Sequence, residues 1–327
     1  MKLTKGVFLL LALLLAVGFA GCSKDEDNGG ATGPTETDYY ADIADIGIQY
    51  FNTGTKNITA AALYEDMTND VELFIIDYRS ADHFALGHIE GAHNWAIGDL
   101  MDNLGEIPAG AKVINVCYTG QTASQATAIL RLLDYDAYNL LWGMCGWTSD
   151  ESINLGKWNV QPGGQTLSTD ATPATTTYEV PEALSEATTV GDAIMELADA
   201  YYEGGMKNIS AASVFELLND GDDSNDPYVV NYWPESQYLL GHIPGAYMVE
   251  PGTLSLDVLA TLPTDRQIVV YCYTGQTSSQ LTPFLRVLGY DVYSMLFGIN
   301  SITDDPTVTG GHSYSPPATD YPVVTEG

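Results

Sequence analysis

The sequence predicts an α/β protein made of two like domains, each a parallel β-sheet flanked by helices. Three observations carry this expectation. The chain repeats itself: four blocks recur in the same order, with offsets growing only from 151 to 155 residues. Within each copy, short apolar runs rich in β-branched residues alternate with stretches of helical spacing. And the ten residues "VCYTGQTASQ" at 116–125 return as "YCYTGQTSSQ" at 271–280, each time between a strand pattern and a helix pattern.

The elements read as follows from the N-terminus. Lys2 and Lys5 precede the apolar run "VFLLLALLLAVGFA" at 7–20, then "GCSKDEDNGG". An apolar run this short, ahead of small residues and a polar stretch, predicts an export signal over 1–21 rather than a spanning helix. In its plainest form the signal is simply cleaved and Cys22 is incidental. The stretch "FAGC", however, resembles a bacterial lipobox, which implies that Cys22 becomes a lipidated N-terminus held in a membrane by its acyl chains. Ser23 follows it rather than Asp, which for a Gram-negative cell favours the outer membrane. The expected location is the cell envelope, facing periplasm or exterior, an oxidising compartment. Residues 22–42 read as a flexible tether, 43–158 as the first domain, 159–188 as a Thr/Pro/Gly/Ala-rich linker, 189–303 as the second domain and 304–327 as a tail with four prolines.

Within the copies, "YFNTGTKNITAAALYEDMTND" from Tyr50 pairs with "YYEGGMKNISAASVFELLNDG" from Tyr201. "ELFIID" and "PYVVNY" predict buried strands, as do "KVINVCY" and "QIVVYCY". "LGHIEGAHN" at 86–94 pairs with "LGHIPGAYM" at 240–248. "TASQATAILRLL" and "TSSQLTPFLRVL" predict helices; Ile129, Leu130, Leu132 and Leu133 supply the buried face of the first, and Pro283 is expected near the start of the second, with room for a kink.

Composition narrows function. The net charge is −32, and −34 once Lys2 and Lys5 leave with the signal. That acidity argues against nucleic acid and against electrostatic docking on anionic lipid. The four cysteines, Cys22, Cys117, Cys145 and Cys272, show no C-x-x-C spacing and are too few for a disulfide scaffold. No metal site and no organic cofactor is implied.

Cys117 and Cys272 each end a buried strand and precede a helix, with Gly120 and Gly275 allowing the tight turn. In that geometry backbone N–H groups converge on the sulfur, and the helix N-terminus adds its positive end. Both effects predict an acidic thiol and a cradle for an anion or a persulfide. The bland reading is a buried, inert cysteine at a strand end.

The combination of strand, "DYRSADHFALGHIEGAHN", "CYTGQTAS" and "GMCGW" resembles a rhodanese-type sulfurtransferase domain, over roughly 43–158 and 190–303. The resemblance implies that Cys117 and Cys272 carry sulfane sulfur as persulfides, passing it from a small donor to a thiol or cyanide-like acceptor. It implies substrate-binding loops of Tyr118, Thr119, Gly120, Gln121 and Thr122, and of Tyr273, Thr274, Gly275, Gln276 and Thr277. Asp77 and Arg79 match a supporting D-x-R pair; the second copy has Asn231 and Trp233 there. His88 and His242, in the GHIxGA element, are expected to be scaffold rather than general bases. Cys145, with Asn300 as counterpart, reads either as a small buried side chain or as a resolving thiol for Cys117.

Thiosulfate-using relatives carry a basic residue at the sixth loop position, where this chain has Thr122 and Thr277; the loops are closer to those of mercaptopyruvate sulfurtransferases, although Tyr118 and Tyr273 depart from them. The expectation is weak thiosulfate use and better use of mercaptopyruvate or a persulfide. No arginine follows either cysteine before Arg131 and Arg286, which disfavours oxyanion transfer. The rival reading is a non-catalytic module that binds sulfane sulfur or a protein on the cell envelope.

Overall fold

The computed structural model describes residues 36–325; the leader, Cys22 and most of the expected tether lie outside the described residues. A short ribbon comes first: β1 (Thr37–Asp38) pairs antiparallel with β7 (Leu184–Ser185), so the end of the tether and the end of the linker zip together ahead of the second copy.

The first copy runs α1 (Tyr40–Asn52), β2 (Asn57–Ile58), α2 (Ala60–Thr68), β3 (Leu73–Asp77), α3 (Ala81–Leu86), β4 (Ala92–Asn94), β5 (Lys112–Val116), α4 (Gln121–Leu132), β6 (Ala137–Leu140), α5 (Met144–Trp147) and α6 (Glu151–Asn154). The second runs α7 (Val190–Glu203), β8 (Asn208–Ile209), α8 (Ala211–Asn219), β9 (Tyr228–Asn231), α9 (Glu235–Tyr238), β10 (Tyr247–Met248), α10 (Leu256–Leu259), β11 (Ile268–Tyr271), α11 (Gln276–Val287), β12 (Val292–Met295) and α12 (Pro306–Thr309).

Each copy holds one five-stranded, wholly parallel sheet, ordered β2-β6-β5-β3-β4 in the first and β8-β12-β11-β9-β10 in the second. The cysteine strands β5 and β11 are central and buried, as their mostly apolar runs require of a sheet covered on both faces; Asn115 in β5 is the buried polar exception. The repeated "KNIT" and "KNIS" are helix starts: Thr59 accepts the N–H of Ala62 and Ser210 that of Ser213, capping α2 and α8.

The two copies pack through α4 and α11, whose buried faces carry polar as well as apolar side chains. Gln125 of α4 donates to Asn208 of the second copy at 2.9 Å and accepts from Tyr201. Gln280 of α11 repeats this toward the first copy, donating to Asn57 at 3.1 Å and accepting from Tyr50. Such reciprocal pairing is the mark of a two-fold interface, here inside one chain. Gly47 on α1 lets Phe284 in: a Cβ there would stand 1.9 Å from the ring. Helix α11 continues through Pro283, which is its eighth residue and not near its start.

The repeat extends past residue 303. α6 and α12 are equivalents, each ending on a left-handed residue, Leu155 or Gly310. Beyond α12 the tail crosses back to the first copy, where Tyr321 donates its N–H to Trp147 O, Trp147 Nε1 donates to Pro322 O at 2.9 Å and Val324 bridges to His88.

Candidate functional site

β5 delivers Cys117 to the carboxyl edge of its sheet, and the chain then turns into α4. Gly120 makes the turn with φ +81°, and Gly275 repeats it with φ +81°. The turn aims amides at sulfur: Gly120 N–H lies 3.1 Å and Ala123 N–H 3.4 Å from Cys117 Sγ. In the second copy Ser278 points both its N–H, at 3.4 Å, and its hydroxyl, at 3.6 Å, at Cys272 Sγ. The cradle foreseen from the sequence is present, with a serine hydroxyl added where the first copy has Ala123.

The acidity foreseen for Cys117 is not. Only 3% of Cys117 is exposed, and burial pushes its thiol above the ordinary range; the amides of Ala123, Thr119, Gly120 and Thr122 work the other way without prevailing. The sequence displays the amides and hides the desolvation. Burial raises the phenol of Tyr78, just past β3, with the Cys117 thiol adding to it, and burial with the Cys272 thiol does the same to Tyr232. Tyr78 donates to Asn115 at 2.7 Å, whereas Tyr232 OH is buried with no hydrogen-bond partner among the described residues.

Asp77 and Arg79 form a buried bidentate pair, 2.8 Å at its shortest. Arg79 also donates to Gly87 O at 2.7 Å, Ile153 O at 3.2 Å and His83 O at 3.3 Å, which ties α3 and α6 under the Cys117 loop. In the second copy aromatic packing replaces the charges. Asn231 donates to Tyr271 OH at 3.0 Å, and Trp233 stacks on Tyr273 with ring centres 4.8 Å apart. His88 and His242 bond through Nδ1 to the carbonyls of Phe84 and Tyr238 and stack on those same rings. His242 Nε2 is further bonded to Asp170 O at 3.0 Å.

Of the loop residues, Tyr118 bonds His83 Nδ1 at 2.5 Å, Thr119 accepts from Gln121 Nε2 at 3.1 Å, and Thr122 and Thr277 are half-buried. Thr274 is buried, as Thr119 is. Gln121 and Gln276, expected to line their own loops, instead send their Oε1 atoms into the opposite copy, to the N–H groups of Phe297 and Trp142. Cys145 joins the Cys117 loop through its backbone, its N–H on Tyr118 O at 3.0 Å. Burial pushes its thiol up to about 11, against the amides of Trp158 and Lys157. It lines a cavity of about 450 Å³ with Ser149, Glu151, Trp158 and Tyr314, and Asn300 lines the matching cavity of about 240 Å³ in the second copy. Trp158 and Tyr314 border both cavities and stack on each other, 4.9 Å between centres.

Sequence reasoning missed His83, Tyr78, Tyr232, Lys157 and His312. The last two were within reach. Lys157 and His312 are 155 residues apart, the same offset as the cysteines, and each sits over its loop tyrosine: Lys157 Nζ at 5.4 Å from the Tyr118 centroid, His312 stacked at 4.4 Å on Tyr273.

Comparison with known proteins agrees with this architecture. The family model described as the rhodanese-like domain matches twice, at residues 59–150 and 210–305, together more than half of the 327 residues. The protein described as "Putative sulfurtransferase YtwF" of Bacillus subtilis (strain 168) is 26% identical over 95 residues, 29% of this chain and 92% of that protein. Among solved structures, a rhodanese-like domain protein from Staphylococcus aureus is 25% identical over 29% of this chain and 94% of its own, with a TM-score of 0.28. A thiosulfate sulfurtransferase from Pseudomonas aeruginosa is 17% identical over 78% of this chain and 46% of its own, with a TM-score of 0.29. Two family matches, each spanning four strands of a five-stranded parallel sheet and its cysteine loop, place the chain in the rhodanese-like family as a tandem of two such domains.

Proposed function

We propose that the protein is a sulfurtransferase working through persulfides on Cys117 and Cys272. One observation carries the reading: in both copies the cysteine sulfur sits in a strand-to-helix loop that aims backbone N–H at it, two groups at 3.1 and 3.4 Å from Cys117 Sγ and one at 3.4 Å from Cys272 Sγ. The thiolate attacks the sulfane sulfur of a donor; a Cys–S bond forms, the donor's S–S or C–S bond breaks, and its electron pair leaves with sulfite, pyruvate or a thiol. An acceptor thiolate or cyanide then attacks the outer sulfur and returns the cysteine as thiolate. The loop amides stabilise the anionic sulfur in each state without reorganising. Donors are small sulfane compounds (thiosulfate, mercaptopyruvate or a persulfide). The "FAGC" stretch supports a setting in the cell envelope, with Cys22 as a lipid anchor; metabolic labelling by a fatty-acid analogue should mark wild type and spare Cys22→Ala.

A second reading, a non-catalytic sulfane-sulfur or protein-binding module, is favoured by the burial of both thiols, 3% and 2% exposed. A donor-by-acceptor activity screen on wild type, Cys117→Ser, Cys272→Ser and the double variant separates the two. Turnover that each serine variant lowers and the double variant abolishes supports transfer; no turnover with any pair leaves only binding.

A further inference from the structure

Two left-handed aromatic residues stand at equivalent places in the copies. Trp142 has φ +68° and Phe297 φ +62°, conformations that bulky side chains rarely hold unless the surroundings impose them. Each is followed by a glycine pressed against the cysteine loop. A Cβ on Gly143 would stand 2.3 Å from Cys117 O, and one on Gly298 2.1 Å from Cys272 O. The same turns then clamp the loops. Met144 donates to Cys117 O at 2.8 Å and Cys145 to Tyr118 O at 3.0 Å; Ile299 donates to Cys272 O at 2.9 Å and Asn300 to Tyr273 O at 3.1 Å. The aromatic–glycine turn therefore sets where each cysteine loop lies.

Beside the bonds within its own domain, each turn takes one from the other domain. The N–H of Trp142 donates to Gln276 Oε1 at 3.1 Å, and Asn139 Nδ2 adds a second bond to that oxygen at 3.0 Å. The N–H of Phe297 donates to Gln121 Oε1 at 2.7 Å. Gln276 and Gln121 are the first residues of α11 and α4, directly after the cysteine loops. The contact is also steric, since a Cβ on Gly120 would stand 2.4 Å from Gln276 Oε1, and one on Gly275 2.4 Å from Gln121 Oε1.

We propose that these glutamines are positioning residues that act in trans: Gln276 sets the Cys117 loop through Trp142–Gly143, and Gln121 sets the Cys272 loop through Phe297–Gly298. The circuit closes on itself, because each glutamine belongs to the loop that the other one positions. A displacement of either loop, such as the entry of an extra sulfur atom, is thereby felt at the other cysteine. The two domains work as one coupled pair of sites and not as independent copies. The functional part of this statement rests on the persulfide reading above; the geometric part does not.

The test is Gln276→Met, which keeps volume and removes the acceptor. Gln276 is the cleaner choice, because its Nε2 has no partner among the described residues and its own loop loses no hydrogen bond; Gln121 Nε2 is bonded to Thr119. Two readouts are taken on the full chain by peptide mass spectrometry: persulfide loading at each cysteine from polysulfide, and amide exchange of the two loops. The expected result is crossed. Loading at Cys117 slows about tenfold relative to Cys272, the scale of losing the Trp142 bond that positions the loop while Asn139 keeps its bond to Asn57, and exchange rises in residues 117–123 more than in 272–278. Gln121→Met gives the mirror pattern and serves if Gln276→Met fails to fold. Equal effects on both loops, or a larger effect on the loop that carries the substitution, overturn the proposal. If wild type loads no sulfur at either cysteine, the sulfurtransferase reading fails, while the exchange pattern still decides whether the glutamines act in trans.

Discussion

Lys157 holds its ammonium group 5.4 Å from the ring centre of Tyr118, the residue that follows Cys117. The sixth loop position is Thr122, so the loop itself brings no cation to the donor. The turn after α6 supplies one instead, exposed and among the described residues engaged in no salt bridge. At the second site the equivalent group is the imidazole of His312, stacked on Tyr273.

The first prediction follows from that cation. A charge-assisted hydrogen bond is about twice as strong as a neutral one, so losing it costs on the order of 1–2 kcal/mol of binding to a dianion. Lys157→Met should lower kcat/KM for thiosulfate about tenfold, read in a Cys272→Ser background, and change use of a less highly charged donor such as mercaptopyruvate or a persulfide less. Adding Thr122→Arg should restore thiosulfate use. Equal losses with both donors would show that Lys157 only supports the loop.

The second prediction concerns pH. Burial raises the Cys117 thiol, so less thiolate is present at any given pH than in a free cysteine, whose pKa is about 8.5. Alkylation and sulfur uptake at Cys117 should therefore keep rising with pH through that value. The sign for stability follows: the folded state holds the proton more tightly, so this contribution is intact below the unfolded thiol's pKa and is lost as pH rises through the folded one. A rate profile at Cys117 that levels near neutrality would contradict the account.

The third prediction tests the support under Cys117. Arg79→Met strands the Asp77 carboxylate in the interior and frees three carbonyls, which should cost about 3–5 kcal/mol in urea unfolding. The pair Asp77→Asn with Arg79→Trp imports the second copy's residues and should recover part of that loss, because no uncompensated charge remains. Activity at Cys117 should fall with Arg79→Met, and Cys117→Ser should cost more total activity than Cys272→Ser. The reverse order would make Asp77 and Arg79 a poor guide to which domain turns over.

What the sequence disclosed was local or repeated. The strands carrying Cys117 and Cys272, the loops and the helices that follow them are contiguous patterns, and duplication displayed each one twice. The partners of Gln121 and Gln276 were invisible for the opposite reason. Phe297 and Trp142 lie in the other copy, and no local pattern says that two helices will meet face to face. Burial misled in the same way. Amides at a helix start are legible in "CYTGQT", but the desolvation of Cys117 depends on Tyr78 and the packing around it. The prolines after Asp304 read as a tail because proline breaks elements, while the tail's docking against Trp147 rests on long-range contacts, Trp147 Nε1 on Pro322 O and Tyr321 N–H on Trp147 O, that no local pattern announces. Lys157 and His312 were legible in principle, by carrying the alignment of the copies 155 residues apart beyond residue 303.

The central claim, that each loop cysteine carries sulfur in transit, is tested most directly by intact mass. The protein is incubated with polysulfide, desalted, weighed and then exposed to cyanide. The account predicts a gain of one sulfur atom in Cys117→Ser, one in Cys272→Ser, two in wild type and none in the double variant, with every gained sulfur released by cyanide as thiocyanate. A gain that survives in the double variant, or no gain in wild type, would contradict it.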